Sequence, residues 1–364
     1  MSIEKRYILS GGGTGGHIFP AIAIADELKK RDPNCKILFV GASDRMEMEK
    51  VPAAGYEIKG LWISGLQRSL KPKNLLFPIK LISSIWKSKK IIRQFKPNVV
   101  IGTGGYASAS VLYAATKKGI PTLIQEQNNY AGLTNKWLSK KVNKICVSYD
   151  NMGRFFPEEK IVKTGNPVRD QFLGTKELNA QEIAKKSYGI KHYEKSVLVV
   201  GGSLGARSIN QAIEKDYKKL EDGGIHLVWQ TGELFVEQAD KIKSNFIHPL
   251  TFISNMKEAY EMADVVISRA GAIAISEICI MGKASVLVPL STAAEDHQTK
   301  NAMALANNQA AELVKDQDVK EHLVDTVIRL IDDKEKQTTI SNNVKRMGLP
   351  MATIEIVNEI EKLI

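Results

Sequence analysis

The chain has 364 residues, of which 43% are hydrophobic and 25% charged, a composition that is ordinary for a soluble globular protein and excludes a disordered one. This length allows two domains of common size, each with its own core. No apolar stretch approaches the roughly 18 residues that span a bilayer, and the N-terminus has no signal-peptide pattern, so we expect a cytosolic location. Cys35, Cys146 and Cys279 lie far apart and outside any C-x-x-C pattern, which predicts free thiols and no metal site.

The net charge of +11 is concentrated in the first half of the chain. Residues 1–165 carry 27 Lys and Arg against 12 Asp and Glu, a net of +15, whereas the remainder has a net charge of −4. Residues 58–125 contain twelve Lys and Arg and neither Asp nor Glu. Such a surface favours phosphate groups, either of nucleic acid or of anionic lipid.

Short apolar runs alternate with helix-like stretches along both halves. Runs without polar alternation are typical of parallel strands covered on both faces, so we predict doubly wound α/β domains. In the first half the predicted strands are 7–10, 36–40, 99–102, 121–125 and 144–148, and the predicted helices are 20–30, 74–94 and 106–117. In the second half the predicted strands are 196–200, 226–230, 250–253, 265–268, 285–288 and 311–314.

A turn-forming stretch at residues 164–169, which contains Gly165 and Pro167, marks the predicted domain boundary. We therefore predict an N-terminal domain over 1–165 and a C-terminal domain over 166–345. The final segment, 346–364, has helical spacing of apolar residues, and it either closes the second domain or packs back on the first.

The first predicted strand is followed by a glycine-rich loop in which Gly11, Gly13 and Gly16 satisfy G-x-G-x-x-G. A strand, a glycine loop and a helix in this order point backbone N–H groups at a phosphate, as in dinucleotide-binding proteins. That fold also requires an acidic residue closing the second strand, whereas small residues separate this strand from Asp44. His17 follows the loop at a helix N-terminus, which disfavours its protonation and suits reactive chemistry; the alternative is that it only fills space.

Two further loops of the first half follow predicted strands. The loop with Gly104, Gly105 and Tyr106 lies in the acid-free region, and it is either an anion-binding site for a pyrophosphate or a tight turn that uses glycine for backbone freedom. Glu126 and Asn128 directly follow another strand. Polar residues there point to where α/β folds bind ligands, the alternative being a solvated turn.

The second half repeats the arrangement with a glycine loop at 201–205. Small residues at 270–274 allow a diphosphate to approach a helix start, and the Glu277 carboxylate suits ribose hydroxyls. The amides of Gln298 and Asn301 share one helix face and suit sugar hydroxyls, although a solvated helix cap is equally consistent with the charges around them.

The helix predicted over 74–94, which we name α3, is basic and carries an apolar face. Together with the lysines before it, this face is called the α3 surface. It suits either core packing or an interface with anionic lipid headgroups. Nucleic acid is less favoured, because interleaved exposed aromatic residues and a recognition motif are missing. The α3 surface consists of Lys71, Lys73, Leu75, Leu76, Phe77, Ile79, Lys80 and Trp86.

Taken together, the motifs of this chain resemble the MurG family, the UDP-N-acetylglucosamine transferases that act on undecaprenyl-pyrophosphoryl-muramoyl-pentapeptide in peptidoglycan synthesis. The order and spacing of the motifs carry the resemblance, which covers nearly the whole chain. The motifs lie at 12–17 with Phe19 and Pro20, 104–106, 126–128, 131–135, 165–169, 201–203 and 269–277, with Gln298 and Asn301.

The resemblance implies a GT-B fold, in which two Rossmann-like domains face a central cleft, and an inverting, metal-independent transfer without a cofactor. It converts lipid I to lipid II at the muramoyl 4-hydroxyl. The implied partners are UDP-N-acetylglucosamine, a polyprenyl-pyrophosphate-linked acceptor, an anionic membrane surface and other cell-wall enzymes, but no nucleic acid. The implied location is peripheral, on the cytoplasmic face of the plasma (inner) membrane, with roles in cell shape and division.

The resemblance also implies roles for individual residues. His17 is the candidate general base and Glu126 the reserve candidate. Gly104, Gly105, Tyr106 and Asn301 are implied on the acceptor and pyrophosphate side. The residues implied in binding UDP-N-acetylglucosamine are Thr14, Gly15, Gly16, Asn128, Arg169, Ser203, Ile253, Ala272, Ile273, Ala274, Glu277 and Gln298.

Two residues depart from the family pattern. Leu204 replaces a common Gln, and Ala274 replaces a Thr or Ser, which changes side-chain contacts to the donor but preserves backbone contacts. The alternatives left open are a UDP-sugar epimerase on the same double fold, another GT-B glycolipid glycosyltransferase, a nicotinamide oxidoreductase and a non-catalytic sugar-nucleotide-binding protein. An epimerase would not need a basic surface facing lipid.

Overall fold

Two α/β units make up the chain in the computed structural model, which describes residues 4–65, 76–174, 177–202 and 205–364. Unit 1 extends to Arg169 and also includes Pro350–Ile364, while unit 2 comprises Asp170–Leu349. Lys71, Lys73, Leu75, Ser203 and Leu204 lie outside the described residues. No helix in the described ranges is long and apolar enough to cross a membrane.

Unit 1 is built on seven parallel strands in the order β3-β2-β1-β4-β5-β6-β7. The inner strands are apolar along their length because helices cover both faces of the sheet. The strands are β1 (Arg6–Gly11), β2 (Lys36–Ala42), β3 (Glu57–Leu61), β4 (Val99–Gly104), β5 (Thr122–Glu126), β6 (Lys144–Val147) and β7 (Ile161–Lys163). The helices are α1 (Gly15–Arg31), α2 (Glu47–Ala53), α3 (Phe77–Phe95), α4 (Tyr106–Thr116) and α5 (Leu133–Leu138).

Unit 2 contains six parallel strands in the order β10-β9-β8-β11-β12-β13. Its core centres on Trp229, whose indole N–H donates to Asn210 Oδ1 at 3.0 Å. The strands are β8 (Lys195–Val200), β9 (Ile225–Gln230), β10 (Ile247–Leu250), β11 (Val265–Arg269), β12 (Ala284–Val288) and β13 (Glu312–Leu313). The helices are α6 (Ala180–Ser187), α7 (Arg207–Asp222), α8 (Val236–Asp240), α9 (Met256–Met262), α10 (Ala272–Met281), α11 (His297–Ala306), α12 (Val319–Asp332) and α13 (Lys334–Arg346).

The prediction of doubly wound α/β domains is confirmed, and the strand order shows where each sheet can bind a ligand. The order reverses between β1 and β4 in unit 1 and between β8 and β11 in unit 2. In open α/β sheets, ligands bind outside the carboxyl ends of the strands at such reversal points. The glycine loops singled out in the sequence follow these strands.

One predicted strand is wrong. The structure places β10 at Ile247–Leu250, whereas the sequence predicted 250–253. The observed strand contains Pro249, which the sheet tolerates because β10 is an edge strand and a missing N–H can face outward there.

The chain ends in α14 (Ala352–Glu361), which returns to unit 1 and packs on α1. Its apolar side chains Ile356, Val357 and Ile360 are fully buried in the core beneath α1. Arg31 at the end of α1 donates to Asn358 Oδ1 and Glu361 Oε2, each at 2.8 Å. The last residues of the chain therefore complete the core of unit 1.

We expect two histidines of unit 2 to lower the free energy of unfolding in acid. His226 on β9 and His248 on β10 have ring nitrogens 3.5 Å apart, and burial lowers the pKa of both. The proximity of His226 further lowers the pKa of His248, while Glu194 partly opposes the shift at His226. Because unfolding frees both rings to protonate, their stabilisation is full above the ordinary pKa of about 6.5 and is lost as the pH falls through the lower folded values.

We expect His248→Gln to reduce this acid-dependent loss by about half, since one of the two titrating rings is removed. Urea unfolding at about pH 7.5 and about pH 5.5 measures the difference in the free energy of unfolding. His322→Gln, at an exposed position on α12, is the control and should keep the wild-type difference. An unchanged difference in His248→Gln would contradict the assignment.

Candidate functional site

The first glycine loop joins β1 to α1. Gly13 has φ +85°, a conformation that favours glycine, and its N–H donates to Glu47 Oε2 at 3.0 Å. Because this N–H points at a buried carboxylate, it is not available to a phosphate. The loop therefore has one backbone donor fewer for a phosphate, which weakens the dinucleotide-binding interpretation. Of the predicted ligand residues, Thr14 is exposed before α1, and Gly15 and Gly16 begin the helix.

His17 is half-buried in the first turn of α1, and its ring is oriented by Gln127. The ring Nδ1 lies 3.1 Å from Gln127 Oε1, and Gln127 Nε2 donates to the carbonyl of Thr103 at 2.8 Å. Since Gln127 donates through nitrogen to a carbonyl, its oxygen faces the ring and accepts from Nδ1–H. Neutral His17 then carries the lone pair on Nε2, which is the tautomer a general base needs. Gln127 lies within the motif at 126–128, but the sequence assigned it no role of its own.

The loop after β4 packs directly against the His17 loop. Thr103 Oγ1 donates to the carbonyl of His17 at 2.6 Å, and a Cβ at Gly104 would lie 2.7 Å from His17 Nδ1. A Cβ at Gly105 would lie 2.5 Å from the carbonyl oxygen of Gly12, so the two backbones touch. Tyr106, the first residue of α4, is exposed. The structure thus brings Gly104 next to the His17 ring and Gly105 next to Gly12 of the first glycine loop.

Glu126 has a structural task that uses both carboxylate oxygens. It is 1% exposed, and Oε1 accepts from the backbone N–H of Asn128 at 3.1 Å and its side chain at 3.3 Å. Oε2 accepts from Gly132 N at 3.0 Å and Asn135 Nδ2 at 2.9 Å. A carboxylate with four donors holds the loop that carries Asn128 and is poorly suited to take a proton. We therefore replace its reserve role as a base with a role in holding this loop.

The predicted boundary turn is tied to the same loops through a buried amide. Gln125 Nε2 donates to Asn166 Oδ1 at 2.9 Å, and Asn166 Nδ2 donates to the carbonyl of Gln127 at 3.1 Å. Arg169, three residues further on, is exposed at the end of unit 1.

In unit 2, Gln230 connects the loops that follow β8 and β10. Its Nε2 donates to the carbonyl of Gly202 at 2.9 Å, and its Oε1 accepts from Ile253 N at 3.0 Å. The Ile253 side chain is buried and its N–H is bonded to Gln230, so the ligand contact implied for Ile253 would have to use its backbone carbonyl. Gly205 has φ +75°, and a Cβ there would lie 1.9 Å from the carbonyl oxygen of Thr231. Sequence reasoning missed Gln230, because its role depends on two loops that meet only in the fold.

The N-terminus of α10 has the features of an anion site. Gly271 precedes the helix, the first turn contains no acidic residue, and a Cβ at Gly271 would meet no described atom within 4 Å. Ala272 is buried, while Ile273 and Ala274 are half-buried. Backbone N–H groups and the helix dipole favour negative charge at such a terminus. Glu277, further along the helix, is nearly buried and accepts from Tyr260 Oη at 3.3 Å.

Arg269, within one of the family motifs, is held by an ion pair inside unit 2. Its Nη1 lies 2.7 Å from Asp316 Oδ1, and its Nη2 donates to Ser208 Oγ at 2.8 Å. Burial raises the pKa of Asp316, but hydrogen bonds from Ser208 and Arg269 and the Arg269 charge outweigh it, so the pKa lies below its ordinary value. Arg269 thus joins β11 to α7 and to the segment before α12.

Asn301 and Gln298 on α11 take different positions from those expected of a shared ligand face. Asn301 is fully buried and donates to the carbonyl of Ala270 at 3.3 Å. Because a ligand cannot reach a fully buried amide, its predicted contact with sugar or pyrophosphate is replaced by support of the loop before α10. Gln298 is half-buried, and its Oε1 accepts from Leu290 N at 2.9 Å.

The described part of the α3 surface faces outward. The buried face of α3 includes Ser84 and Ser88, and the hydroxyls of Ser84 and Ser110 on α4 lie 2.7 Å apart. By contrast, Ile82 is 68% and Trp86 77% exposed. Leu76 and Ile79 are exposed, and Phe77 and Lys80 are half-buried. Core packing therefore accounts for Ile91 and Ile92 near the end of α3, but not for the exposed apolar side chains.

An open groove of about 800 Å³ runs along α3 beside the edge strand β3. Its apolar lining comes from one helix, and lysines from both elements border it. The lining includes Ile79, Ile82, Trp86, Ile91, Lys59, Lys87 and Lys90. Nearby, the Lys80 ammonium lies 5.5 Å from the centre of the exposed Trp62 ring. An apolar strip bordered by cations is the pattern expected of a surface that enters lipid headgroups.

Two protein-family models match most of the chain. Residues 7–147 match the glycosyltransferase family 28 N-terminal domain, and residues 196–354 match the glycosyltransferase family 28 C-terminal domain. The UDP-N-acetylglucosamine–N-acetylmuramyl-(pentapeptide) pyrophosphoryl-undecaprenol N-acetylglucosamine transferase of Christiangramia forsetii is 52% identical over 364 residues, covering 100% of this chain and 99% of the relative.

Solved structures show the same architecture. The crystal structure of Acinetobacter baumannii MurG has a TM-score of 0.79 at 28% identity, covering 98% of this chain and 99% of that chain. A UDP-N-acetylglucosamine 2-epimerase has a TM-score of 0.64 at 14% identity, covering 98% of this chain and 96% of that chain. At that identity the second likeness shows the fold alone.

Proposed function

We propose, because the chain belongs to the MurG family of glycosyltransferases, that it transfers N-acetylglucosamine from UDP-N-acetylglucosamine to undecaprenyl-pyrophosphoryl-muramoyl-pentapeptide. The observation that carries this proposal is the 52% identity, over the whole chain, to a relative named for that reaction. The reaction converts lipid I to lipid II in peptidoglycan synthesis. It is a hexosyl transfer that requires no cofactor.

In the chemical step, we assign proton transfer to His17. Its Nε2 takes the proton of the muramoyl 4-hydroxyl, while the hydroxyl oxygen attacks C1 of the donor sugar. The bond between C1 and the UDP oxygen breaks, UDP leaves with the electron pair, and the configuration at C1 inverts. The Nδ1 contact with Gln127 supports this role, since it holds the ring in the tautomer with a basic Nε2.

The donor is assigned to unit 2, with its diphosphate at the N-terminus of α10. Ala272, Ile273 and Ala274 offer backbone N–H groups to the negative charge that develops on UDP, and Arg169 adds a cation. Ser203, Ile253, Glu277 and Gln298 are proposed to hold the uridine and the sugar. Thr14, Gly15, Gly16 and Asn128 of unit 1 are kept as proposed contacts of UDP-N-acetylglucosamine. The acceptor pyrophosphate is assigned to the loop with Gly104, Gly105 and Tyr106.

Transfer of radiolabelled N-acetylglucosamine into lipid tests the proposed function. The purified protein is incubated with labelled UDP-N-acetylglucosamine and a lipid-linked muramoyl-pentapeptide, and we expect label in the lipid fraction. Omitting the muramoyl-pentapeptide lipid is the control. No label in lipid, with an acceptor shown to be active with another transferase, would refute the proposal; conversion of the free UDP-sugar to an epimer would indicate the epimerase alternative instead.

We further propose that the α3 surface holds the protein on the cytoplasmic face of the plasma membrane as a peripheral protein. The acceptor carries a polyprenyl chain that resides in the bilayer, so an enzyme acting on it gains from a lipid-facing surface. The outward apolar face of α3 and its bordering lysines support this assignment. At this location the protein would work with other cell-wall enzymes, and its loss would impair cell shape and division.

Ile82→Glu is expected to weaken binding to vesicles of phosphatidylglycerol and phosphatidylethanolamine by about 30-fold, since burying an isoleucine is worth about 2 kcal/mol. Added salt should weaken wild-type binding as well, because lysines near anionic lipid contribute through charge. Vesicle co-sedimentation measures both effects.

Ile183→Glu makes the same substitution at an exposed position on α6, and it should bind vesicles like the wild type. Wild-type affinity in Ile82→Glu, or equal wild-type binding to pure phosphatidylcholine, would contradict a role of α3 at an anionic membrane.

A further inference from the structure

Glu47 places a fully buried carboxylate directly behind the first glycine loop. It begins α2 and is 0% exposed. Its Oε2 accepts from Gly13 N at 3.0 Å and its Oε1 from Ala42 N at 2.9 Å. Both donors are neutral backbone groups, whereas burying a carboxylate costs several kcal/mol of desolvation. Stability alone is therefore a weak explanation for a charged residue at this position.

Two glycines are shaped around this carboxylate. A Cβ at Gly12 would lie 2.1 Å from Glu47 Oε1, and a Cβ at Gly41 would lie 2.5 Å from Glu47 Cγ. Neither glycine has a positive φ, so backbone conformation does not explain the missing side chains. The absence of side chains at Gly12 and Gly41 thus leaves the space that the carboxylate occupies.

The contacts of Glu47 lead to His17 along the backbone. Glu47 holds Gly13, and the next residue is Thr14, which directly precedes α1. The carbonyl of Thr14 accepts from His17 N at 3.1 Å. Gly12, which Glu47 contacts, touches the backbone of Gly105 in the loop that packs on the His17 ring. A shift of Gly12 and Gly13 would therefore displace both the helix start and the loop that border the ring.

We propose that Glu47 is a positioning residue for the sugar transfer, whose carboxylate locks the backbone of Gly12 and Gly13 and thereby sets the orientation of His17 toward the acceptor. The activity part of this inference rests on the proposed function.

Glu47→Gln tests the proposal, because the amide keeps the size of the side chain but can accept from only one of the two backbone donors. We expect kcat to fall by about 30-fold or more, since small misplacements of a catalytic group cost up to about 100-fold. The Kd for UDP should stay within about twofold, because its diphosphate is assigned to the N-terminus of α10 and its uridine to unit 2. Glu49→Gln on the same helix is the matched control: its side chain is 75% exposed, and its kcat should equal the wild-type value.

A second readout does not depend on transfer activity. Spectra of protein with ¹³C-labelled histidine resolve the Cε1 signals of the six histidines, and the spectrum of His17→Ala assigns the His17 signal. We expect Glu47→Gln to move the His17 signal and Glu49→Gln to leave it in place. Where wild-type protein fails to transfer the sugar, the proposed function is wrong, and the His17 signal still decides whether Glu47 orients the ring.

A lowered melting temperature in Glu47→Gln, with kcat and the His17 signal both equal to those of Glu49→Gln, would show that Glu47 is structural only and would overturn the proposal. If Glu47→Gln does not fold, Gly12→Ala replaces it, because the added methyl displaces the same carboxylate. That variant should show the same loss of kcat and the same shift of the His17 signal, and wild-type behaviour in both would equally overturn the proposal.

Discussion

Replacing His17 with alanine is expected to lower the kcat of sugar transfer by about 10²- to 10⁴-fold, the contribution typical of a positioned general base. The Kd for UDP should change by less than about twofold, because the His17 side chain is assigned to the acceptor hydroxyl and not to UDP. Transfer of labelled N-acetylglucosamine under saturating substrates gives kcat, and calorimetry with UDP gives Kd.

The matched control is His322→Ala, which removes an exposed histidine from α12 and should retain wild-type kcat. Gln127→Ala adds a finer test. It keeps the histidine itself but removes the acceptor that faces its Nδ1. Its kcat should lie between those of wild type and His17→Ala. Activity of His17→Ala above half the wild-type value would mean that another group takes the proton.

A negative charge at the start of α10 is expected to raise the KM for UDP-N-acetylglucosamine by about 100-fold in Ile273→Glu. The first turn of this helix contains no acidic residue, and placing like charges together costs several kcal/mol. Initial rates at varied donor concentration measure the effect, together with the Kd for UDP.

Ile273→Gln separates charge from size, because glutamine has the shape of glutamate without its charge. Its KM should stay within about threefold of the wild-type value, and the ratio between the two variants reports the electrostatic contribution alone. Equal KM values for the glutamate and glutamine variants would place the diphosphate away from this helix terminus.

The sequence predicted the inner strands well, because strands covered on both faces appear as uninterrupted apolar runs. β1, β4, β8 and β11 all lie within two residues of their predicted bounds. The predicted strands did not include β3 or β7. The three-residue β7 and the charged β3 lie at the two edges of their sheet, where apolar patterning weakens.

The candidate site was predictable where a residue's role depends on its place after a strand. His17, Asn128 and Gly105 follow strand ends in sequence, and the fold keeps them there. Glu47, Gln127 and Gln230 were not assigned roles, because each acts through contacts with segments distant in the chain or with a neighbouring loop. A signal was nevertheless present for Glu47, since Gly41 interrupts the apolar run of β2 where a side chain would collide with it.

For α3, the sequence left two environments equally open, because apolar spacing alone does not tell a buried helix face from one that meets lipid. The structure distinguishes them by burying small serines and exposing Ile82 and Trp86. Serine hydroxyls let α3 and α4 approach closely. Ile91 and Ile92 near the end of the helix also enter the core, whereas Ile82 and Trp86 stay outside.

Because α14 returns to unit 1, the core of unit 2 can be completed during synthesis before the core of unit 1. Unit 2 is contiguous, so its core is complete once Leu349 has emerged. Unit 1, although synthesised first, keeps an apolar groove on α1 uncovered until Ile356, Val357 and Ile360 arrive. Without residues 350–364 the chain would carry a finished unit 2 beside a unit 1 with an open apolar face on α1, and we expect proteases to cleave unit 1 first.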